Sequence, residues 1–425
     1  MRIAVFVDRF LPVSETFILR QIVGLQARGH TVDIFAMAPA EPQDLNRDAL
    51  RLGLTDRVRY LQGPRQLVRR VLGALWLIAS VGWRSPIVFA RTLNVFAHRR
   101  AALSLSLFYA AATLFRAGKG QYDIVHCQFG PLGLVALRLI AAGALSGRLV
   151  TSFRGYDATR YLKEHPDNYK RLFVEGDLFC PVSESLKKLI MTAGCSGEKT
   201  VVLASGVDCA RLTYTPRRRG SDEPTRLLTV ARLVEKKGVA YAVQAVARLV
   251  RQGRSVSYVI AGDGALRPDL ERLIQDLKLT PHVRILGWVD QEEVARLLEE
   301  AHVLVAPSVT AGDGDQEGIP NVLKEAMAAG LPVVSTWHSG IPELVEDGVS
   351  GFLVAERDVD ALADRLAYLI DHAELWPAMG WAGRTKVERE FDVERLHDRQ
   401  VELYRQLLGK GTPIHAEDRG LAVAR

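Results

Sequence analysis

Glu317 and Glu325, with seven residues between them, stand on either side of a Gly-Ile-Pro turn in the segment Glu317-Gly-Ile-Pro-Asn-Val-Leu-Lys-Glu325-Ala-Met-Ala-Ala-Gly330. Pro320 suits the first turn of a helix and Gly330 its end, so a helix is predicted to begin just after Glu317. The first amides of a helix have no partner within it. With Gly318 leading into the turn, the N–H groups near Asn321, Val322 and Leu323 therefore form an anion site fit for a diphosphate. The two flanking carboxylates can accept hydrogen bonds from hydroxyls, one from a sugar and the other from a ribose. Either glutamate alone reads equally well as a solvated surface charge. The turn, the helix start and both acids together favour a site.

Rival chemistries are weaker. Asp313-Gly-Asp315 has the D-x-D spacing that can hold a divalent metal, but in this Gly-rich loop the match reads as coincidence, and no metal or other cofactor is expected. Gly262 and Gly264 begin a dinucleotide fingerprint whose third glycine is replaced by Arg267. No P-loop, H-E-x-x-H or serine nucleophile elbow is present.

Ligands of open α/β sheets bind beyond the carboxyl ends of the strands, and the chain supplies such sheets. Its 425 residues exceed one core and suggest two domains. Short β-rich apolar runs alternate with helix-patterned segments, the signature of parallel strands with crossover helices. Strands are predicted at 3–7, 31–36, 124–127, 149–153, 178–182 and 201–203, then at 227–230, 258–261, 283–286, 303–306, 333–335 and 352–354. Helices are predicted at 15–28, 239–251 and 393–408, among others. The Pro-, Gly- and charge-rich stretch 206–222 reads as a linker between Rossmann-like domains at 1–205 and 223–390, followed by a helix in 391–409 and a disordered tail at 410–425.

The net charge of +6 sits in one place, because the stretch 64–119 holds nine basic residues and no acid. Those nine are Arg65, Arg69, Arg70, Arg84, Arg91, Arg99, Arg100, Arg116 and Lys119. The rest of the chain is slightly acidic, with 46 basic (55 less 9) against 49 acidic residues. Apolar segments in the patch, 71–83, 87–90 and 101–115, are shorter than the roughly 20 residues that cross a bilayer. With Trp76, Trp83, Phe89, Phe96 and Phe108 among arginines, they suit helices lying on an anionic membrane face; a pair of core helices with solvated arginine edges is the alternative. The apolar content is too high for nucleic acid. Scattered Cys127, Cys180, Cys195 and Cys209 form no disulfide or zinc pattern, and no signal-peptide cleavage pattern follows the start. A cytoplasmic protein, peripheral at the inner membrane face, is expected.

The run EGIPNVLKEAMAAGLPVVSTWHSGIPELVEDGVSGFLV resembles the C-terminal core of retaining glycosyltransferase family 4, with its paired glutamates. The opening VDRFLPVSETFILRQIVGLQARGHTVDIF resembles the branch of that family that builds exopolysaccharides such as colanic acid and amylovoran. The resemblance implies a GT-B fold, two Rossmann-like doubly wound domains facing a central cleft, with a C-terminal helix crossing back to the first. It also implies that Arg232 and Lys237 of VARLVEKKG grip the donor diphosphate, that Gly262 of IAGDGAL lies near the cleft, and that Leu286 of ILGWV borders the base. Cations and a helix terminus are what a departing diphosphate needs where no metal neutralises it.

On the acceptor side, Ser14, Glu15 and Thr16 stand where many relatives have a Gly-Gly loop, and Ser14 also suits an N-cap. His126 of YDIVHCQFGPLG matches a family histidine, and it is expected to take part in catalysis by positioning the sugar. Gln128 replaces a second histidine, and in TSFRGYD Arg154 replaces a third, followed by Gly155 and Asp157. The sequence thus predicts a metal-independent, retaining transferase that moves a hexose from a UDP- or GDP-sugar to a lipid-linked saccharide in surface polysaccharide synthesis. A nucleotide-sugar epimerase of the same architecture and a non-catalytic sugar-binding subunit are the alternatives.

Overall fold

Parallel strands buried on both faces need apolar residues at consecutive positions, and the β-rich runs of this chain meet that demand. The computed structural model describes residues 1–10, 15–40, 49, 51–54, 57–64, 66–80, 82–98, 100–118, 120–220 and 223–410. They divide into two units. The first holds Met1–Pro181, Lys187–Leu203 and the chain from His397; the second holds Val182–Leu186 and Ala204–Leu396.

Among the described residues each unit carries one six-stranded sheet, and every strand pair is parallel. The first contains β1 (Arg2–Phe10), β2 (Thr31–Pro39), β3 (Val58–Tyr60), β4 (Gln121–Cys127), β5 (Ser146–Phe153) and β6 (Leu178–Pro181), in the order β3-β2-β1-β4-β5-β6. The second contains β7 (Thr225–Val230), β8 (Val256–Ala261), β9 (Val283–Gly287), β10 (Val303–Ala306), β11 (Val333–Thr336) and β12 (Gly351–Val354), in the order β12-β11-β10-β7-β8-β9. Both are doubly wound. The strand order reverses between β1 and β4 and between β7 and β10, and at such switch points the loops diverge and leave room for a ligand.

Alternation along the strands of the second unit separates two cores. Leu227, Val303, Val305 and Val334 pack on helices Val239–Arg251 and Val359–Asp371 through Val243, Val246, Leu362 and Leu366. Leu228, Leu304 and Val333 point the other way, towards Leu323 and Met327 of helix Asn321–Ala329. Burying each such side chain contributes about 2 kcal/mol, and the second set fixes the helix that follows the paired acids.

Two expectations are corrected. Segment 201–203 is not a strand: Val201 N–H reaches the Phe179 carbonyl at 3.0 Å and Leu203 N–H reaches the Pro181 carbonyl at 3.0 Å. The return bond to the Val201 carbonyl would have to come from Pro181, which has no N–H. Conversely, the short edge strand β3 was not anticipated, because three residues reading Val-Arg-Tyr carry no periodicity. The stretch taken as a linker lies on the second unit where it is described: Arg217 is buried and donates to the carbonyls of Glu299 and Ala329.

Helix Leu67–Ser80 of the first unit buries only Ala74 and Leu77. It leans on Tyr109, whose hydroxyl donates to the Arg70 carbonyl at 2.6 Å. Its other apolar side chains face outward, with Leu67 74% and Leu72 and Trp76 each 61% exposed, and nearby Phe96 is 99% exposed. The core-helix alternative thus fails for this helix but holds for helix Ser106–Arg116, which buries Leu107, Phe108, Tyr109 and Leu114, and Phe89 is buried as well, so neither Phe89 nor Phe108 is on an outward face. Among the described residues no helix is long and apolar enough to cross a membrane. Arg65, Arg99 and Lys119 lie outside the described residues.

These two environments predict opposite responses. Leu323→Ala, in the second core, should cost about 3 kcal/mol, whereas Leu72→Ser should stay within about 0.5 kcal/mol of wild type. Urea unfolding midpoints of the two variants check both.

Candidate active site

The loop after β7 is pressed against the loop after β10 by a glycine. Gly238 has φ +63°, and a Cβ there would stand 1.9 Å from the Pro307 carbonyl oxygen, so no other residue permits the approach. The two loops are then tied by Val309 N–H to the Lys236 carbonyl at 2.9 Å and Gly312 N–H to Glu235 Oε1 at 3.0 Å. Gly262 does the same from the β8 side: at φ +146°, its Cβ would meet the Ala231 carbonyl oxygen at 1.8 Å. Its part is to let the β7 loop pack.

This packing puts cations on Glu317. Lys237 Nζ lies 3.1 Å from Oε2, and Lys236 Nζ lies 3.4 Å from Oε1 and 3.0 Å from Asp315 Oδ2. Burial alone would raise the Glu317 carboxyl; Lys237, Lys236 and Arg232 outweigh it and hold the group down at about 2. Burial also pulls the Lys237 ammonium below its usual range, against the attraction of Glu317. Arg232 is exposed but close enough to act on both. Glu317 Oε1 is buried and makes no hydrogen bond, with Lys236 Nζ 3.4 Å away.

Helix Asn321–Ala329 starts one residue later than Pro320, which caps it, and ends at Gly330 in the left-handed region. Asn321 and Val322 stand half-buried at its open end. Leu323 does not belong with them: its side chain is fully buried and its N–H donates to the Pro320 carbonyl at 3.2 Å, so that amide is already used. Gly318 is buried and its carbonyl accepts from Gly340 N–H at 3.2 Å. Glu325 is only 9% exposed, and among the described residues its carboxylate has no hydrogen-bond or ion-pair partner. Leu286 is half-buried and packs on the second core.

The backbone of Glu317 is held as well as its carboxylate. Its N–H donates to His338 Nε2 at 3.2 Å, and His338 Nδ1 meets Glu356 Oε1 at 2.6 Å. Lys236, His338 and Glu356 were not foreseen. For Lys236 the adjacent Lys237 concealed the signal, since either lysine of Glu-Lys-Lys-Gly suits the position; His338 and Glu356 carry none outside the folded chain.

Asp315 is also accounted for. Its carboxylate pairs with Lys236, and its N–H donates to Asp313 Oδ1 at 2.9 Å. Among the described residues no group of three or more His, Cys, Asp or Glu could hold a metal.

In the first unit the expected site residues turn out to be linked to one another. His126 is fully buried, with Nε2 2.8 Å from Ser152 Oγ and Nδ1 2.6 Å from Tyr404 Oη. Burial, helped by Arg154, depresses it to about 3, so it is neutral near pH 7. Both ring nitrogens are bonded within the core, rather than directed at a substrate. Asp157 is buried too and accepts three backbone N–H groups, from Gly130, Arg154 and Gly155; Gly155 and Asp157 shape the loop after β5. Arg154 lies over the Phe17 ring at 4.4 Å and donates to Gln128 Oε1 at 2.5 Å. Burial lowers its guanidinium to about 10. Glu15 and Thr16 stand at the start of helix Thr16–Ala27, which receives no side-chain cap from Glu15; Ser14 lies outside the described residues.

A model of glycosyltransferase family 4 matches residues 14–211, and one of glycosyl transferases group 1 matches residues 224–372. Over 413 residues the chain is 35% identical to the putative colanic acid biosynthesis glycosyltransferase WcaL of Escherichia coli strain K12, spanning 96% of this chain and all of the relative. It is 36% identical over 417 residues to the amylovoran biosynthesis glycosyltransferase AmsK of Erwinia amylovora, spanning 96% of this chain and 100% of AmsK. Among solved structures, Anabaena HepE in complex with UDP shares the fold with a TM-score of 0.70 at 19% identity, over 95% of this chain and 99% of HepE.

The depressed Glu317 carboxyl makes a signed prediction. A folded-state value below the ordinary one stabilises above about pH 4.5, and the contribution is lost as pH falls towards 2. Between pH 6 and pH 3, wild type should therefore lose on the order of 2 kcal/mol relative to Glu317→Gln. Urea midpoints at the two pH values test this, and parallel behaviour would refute it.

Proposed function

The chain belongs to glycosyltransferase family 4, with its GT-B fold, and on that premise we propose that it transfers a hexose, with retention, from a UDP- or GDP-sugar to a lipid-linked saccharide during exopolysaccharide synthesis. The reading is carried by the cluster at the β7/β10 switch point, where Lys237 and Lys236 converge on Glu317 beside the start of helix Asn321–Ala329.

As the bond from the anomeric carbon to the diphosphate breaks, negative charge grows on the leaving oxygen. Lys237, Lys236, Arg232 and the free amides of Asn321 and Val322 are preorganised to take it, so the protein supplies what a metal supplies elsewhere. Glu317 Oε1 accepts a hydroxyl of the donor sugar, and Glu325 accepts the ribose. The acceptor's proton passes to the leaving phosphate, which leaves no task for a protein base and fits a neutral, buried His126. WcaL and AmsK, by their names, serve colanic acid and amylovoran synthesis, and that motivates the polymer assigned here.

Helix Leu67–Ser80 supports a membrane-face location. Its outward Leu67, Val68, Leu72, Leu75 and Trp76 share the helix with Arg69 and Arg70, Arg116 lies over the Trp76 ring at 4.7 Å, and the stretch 64–119 has no acid. Such a face partitions into the headgroup region of an anionic bilayer, where a lipid-linked acceptor is held.

Four outcomes are expected. Glu317→Ala and Lys237→Ala should each abolish transfer while the protein stays folded, and wild-type turnover in both would remove the site. Transfer should survive EDTA. A thermal shift against UDP, GDP and ADP should single out one base, since a ligand at 100 times its Kd stabilises by about 2.7 kcal/mol. Sedimentation with phosphatidylglycerol vesicles should fall sharply in Leu72→Ser/Trp76→Ser, and binding indifferent to anionic lipid would rule out the membrane face.

A further inference from the structure

We propose that His338 and Glu356 are positioning residues that orient Glu317 through its backbone; the inference rests on Glu317 acting in transfer. A backbone N–H can only donate, so the bond from Glu317 N–H to His338 Nε2 at 3.2 Å fixes Nε2 as the acceptor. The ring proton is then on Nδ1 and is donated to Glu356 Oε1 at 2.6 Å. The neutral ring has one tautomer here, and the carboxylate chooses it.

Glu356 is itself anchored. It accepts from Thr310 N–H at 2.8 Å and from Thr310 Oγ1 at 3.2 Å. Arg357 Nη1 lies 3.3 Å from Glu356 Oε2, and the same guanidinium donates to the Thr310 carbonyl. Thr310, His338 and Glu356 follow β10, β11 and β12 respectively, so one imidazole and one carboxylate join the loops at three successive strand ends behind Glu317. Burial would raise the Glu356 carboxyl, and the Thr310 and His338 hydrogen bonds outweigh it and keep the group ionised.

His338 is 1% exposed and is not placed to touch a substrate. If it were only filling, an apolar ring would serve as well. Its effect is exerted on the φ and ψ of Glu317, and through them on whether the carboxylate meets Lys236 and Lys237. Misplacing a reacting group by about 1 Å can cost on the order of 100-fold in rate.

The test separates hydrogen bonding from packing. His338→Gln can offer Oε1 to the same N–H, whereas His338→Phe keeps the ring and loses the acceptor. With UDP- and GDP-hexoses, His338→Phe should lower kcat by about 100-fold and change the KM for the nucleotide sugar by less than about threefold, while His338→Gln recovers most of the rate. Glu356→Gln should behave like His338→Phe, because Thr310 N–H and Nδ1–H bond different carboxylate oxygens, and the NH2 that replaces one of them leaves a donor facing a donor. In wild type, 15N NMR should show His338 protonated at Nδ1 alone. Wild-type kcat in His338→Phe, a glutamine variant no better than the phenylalanine one, or protonation at Nε2 would each overturn the inference. If wild type transfers no sugar, the functional reading fails instead, and the tautomer still decides this one.

Discussion

Pro307's carbonyl oxygen occupies the place where any side chain at position 238 would stand, and the functional unit depends on that exclusion. With glycine there, the turn of Lys236 and Lys237 closes onto Glu317; without it the β7 loop is pushed away from the β10 loop. Withdrawing charges from water costs several kcal/mol per ion, and a cluster survives only when its members satisfy one another. Glu317 and Asp315 balance Lys236 and Lys237, and exposed Arg232 adds a positive charge at the rim. Around Glu317 itself the cations are in excess, and one buried oxygen of Glu317 makes no hydrogen bond. Both deficits are met by a ligand that combines an anion with a hydroxyl.

Much of this was legible in the sequence because it follows from local rules. Strands with continuous apolar runs, such as β10, and helices with an apolar stripe, such as Val239–Arg251, were placed to the residue. A parallel doubly wound sheet then dictates that the loops after β7 and β10 share a switch point, which brings Lys237 to Glu317 although 80 residues separate them. The misses are of another kind. Pro181 cancels a strand by withholding one N–H, and Leu323 spends its amide on the preceding proline; both are matters of single hydrogen bonds. His338 and Glu356 lie in coil, where side-chain direction follows no period, so their pairing exists only in three dimensions.

The first unit shows how position-by-position comparison can mislead. Gln128 and Arg154 each depart from the family's histidines, and taken singly each suggests decay. In the structure they are partners: Arg154 donates to the Gln128 side chain, Gln128 Nε2 to Gln21 Oε1 at 2.6 Å, and Gln21 Nε2 to Gln400 Oε1 at 2.9 Å. Gln400 and Tyr404 then reach His126, and His126 reaches Ser152. One chain of polar side chains therefore runs from the loop after β5, past β4 and helix Thr16–Ala27, to helix Val393–Leu407. Buried networks of this kind are stabilising only when every member is satisfied, so the two replacements constrain each other.

That network also explains why a histidine can match the family's motif and still not meet the sugar. A ring whose two nitrogens are bonded to Ser152 and Tyr404 has no lone pair left for a substrate, and burial keeps it neutral at the pH of the cell. Retention of configuration with the proton leaving on phosphate asks nothing of a protein base, so on the proposed mechanism His126 is free to be spent on structure. What it holds is the seat of the C-terminal helix against the ends of β4 and β5. On that proposal the chemistry falls to the second unit, where the charges are, while the polar side chains of the first unit are bonded to one another.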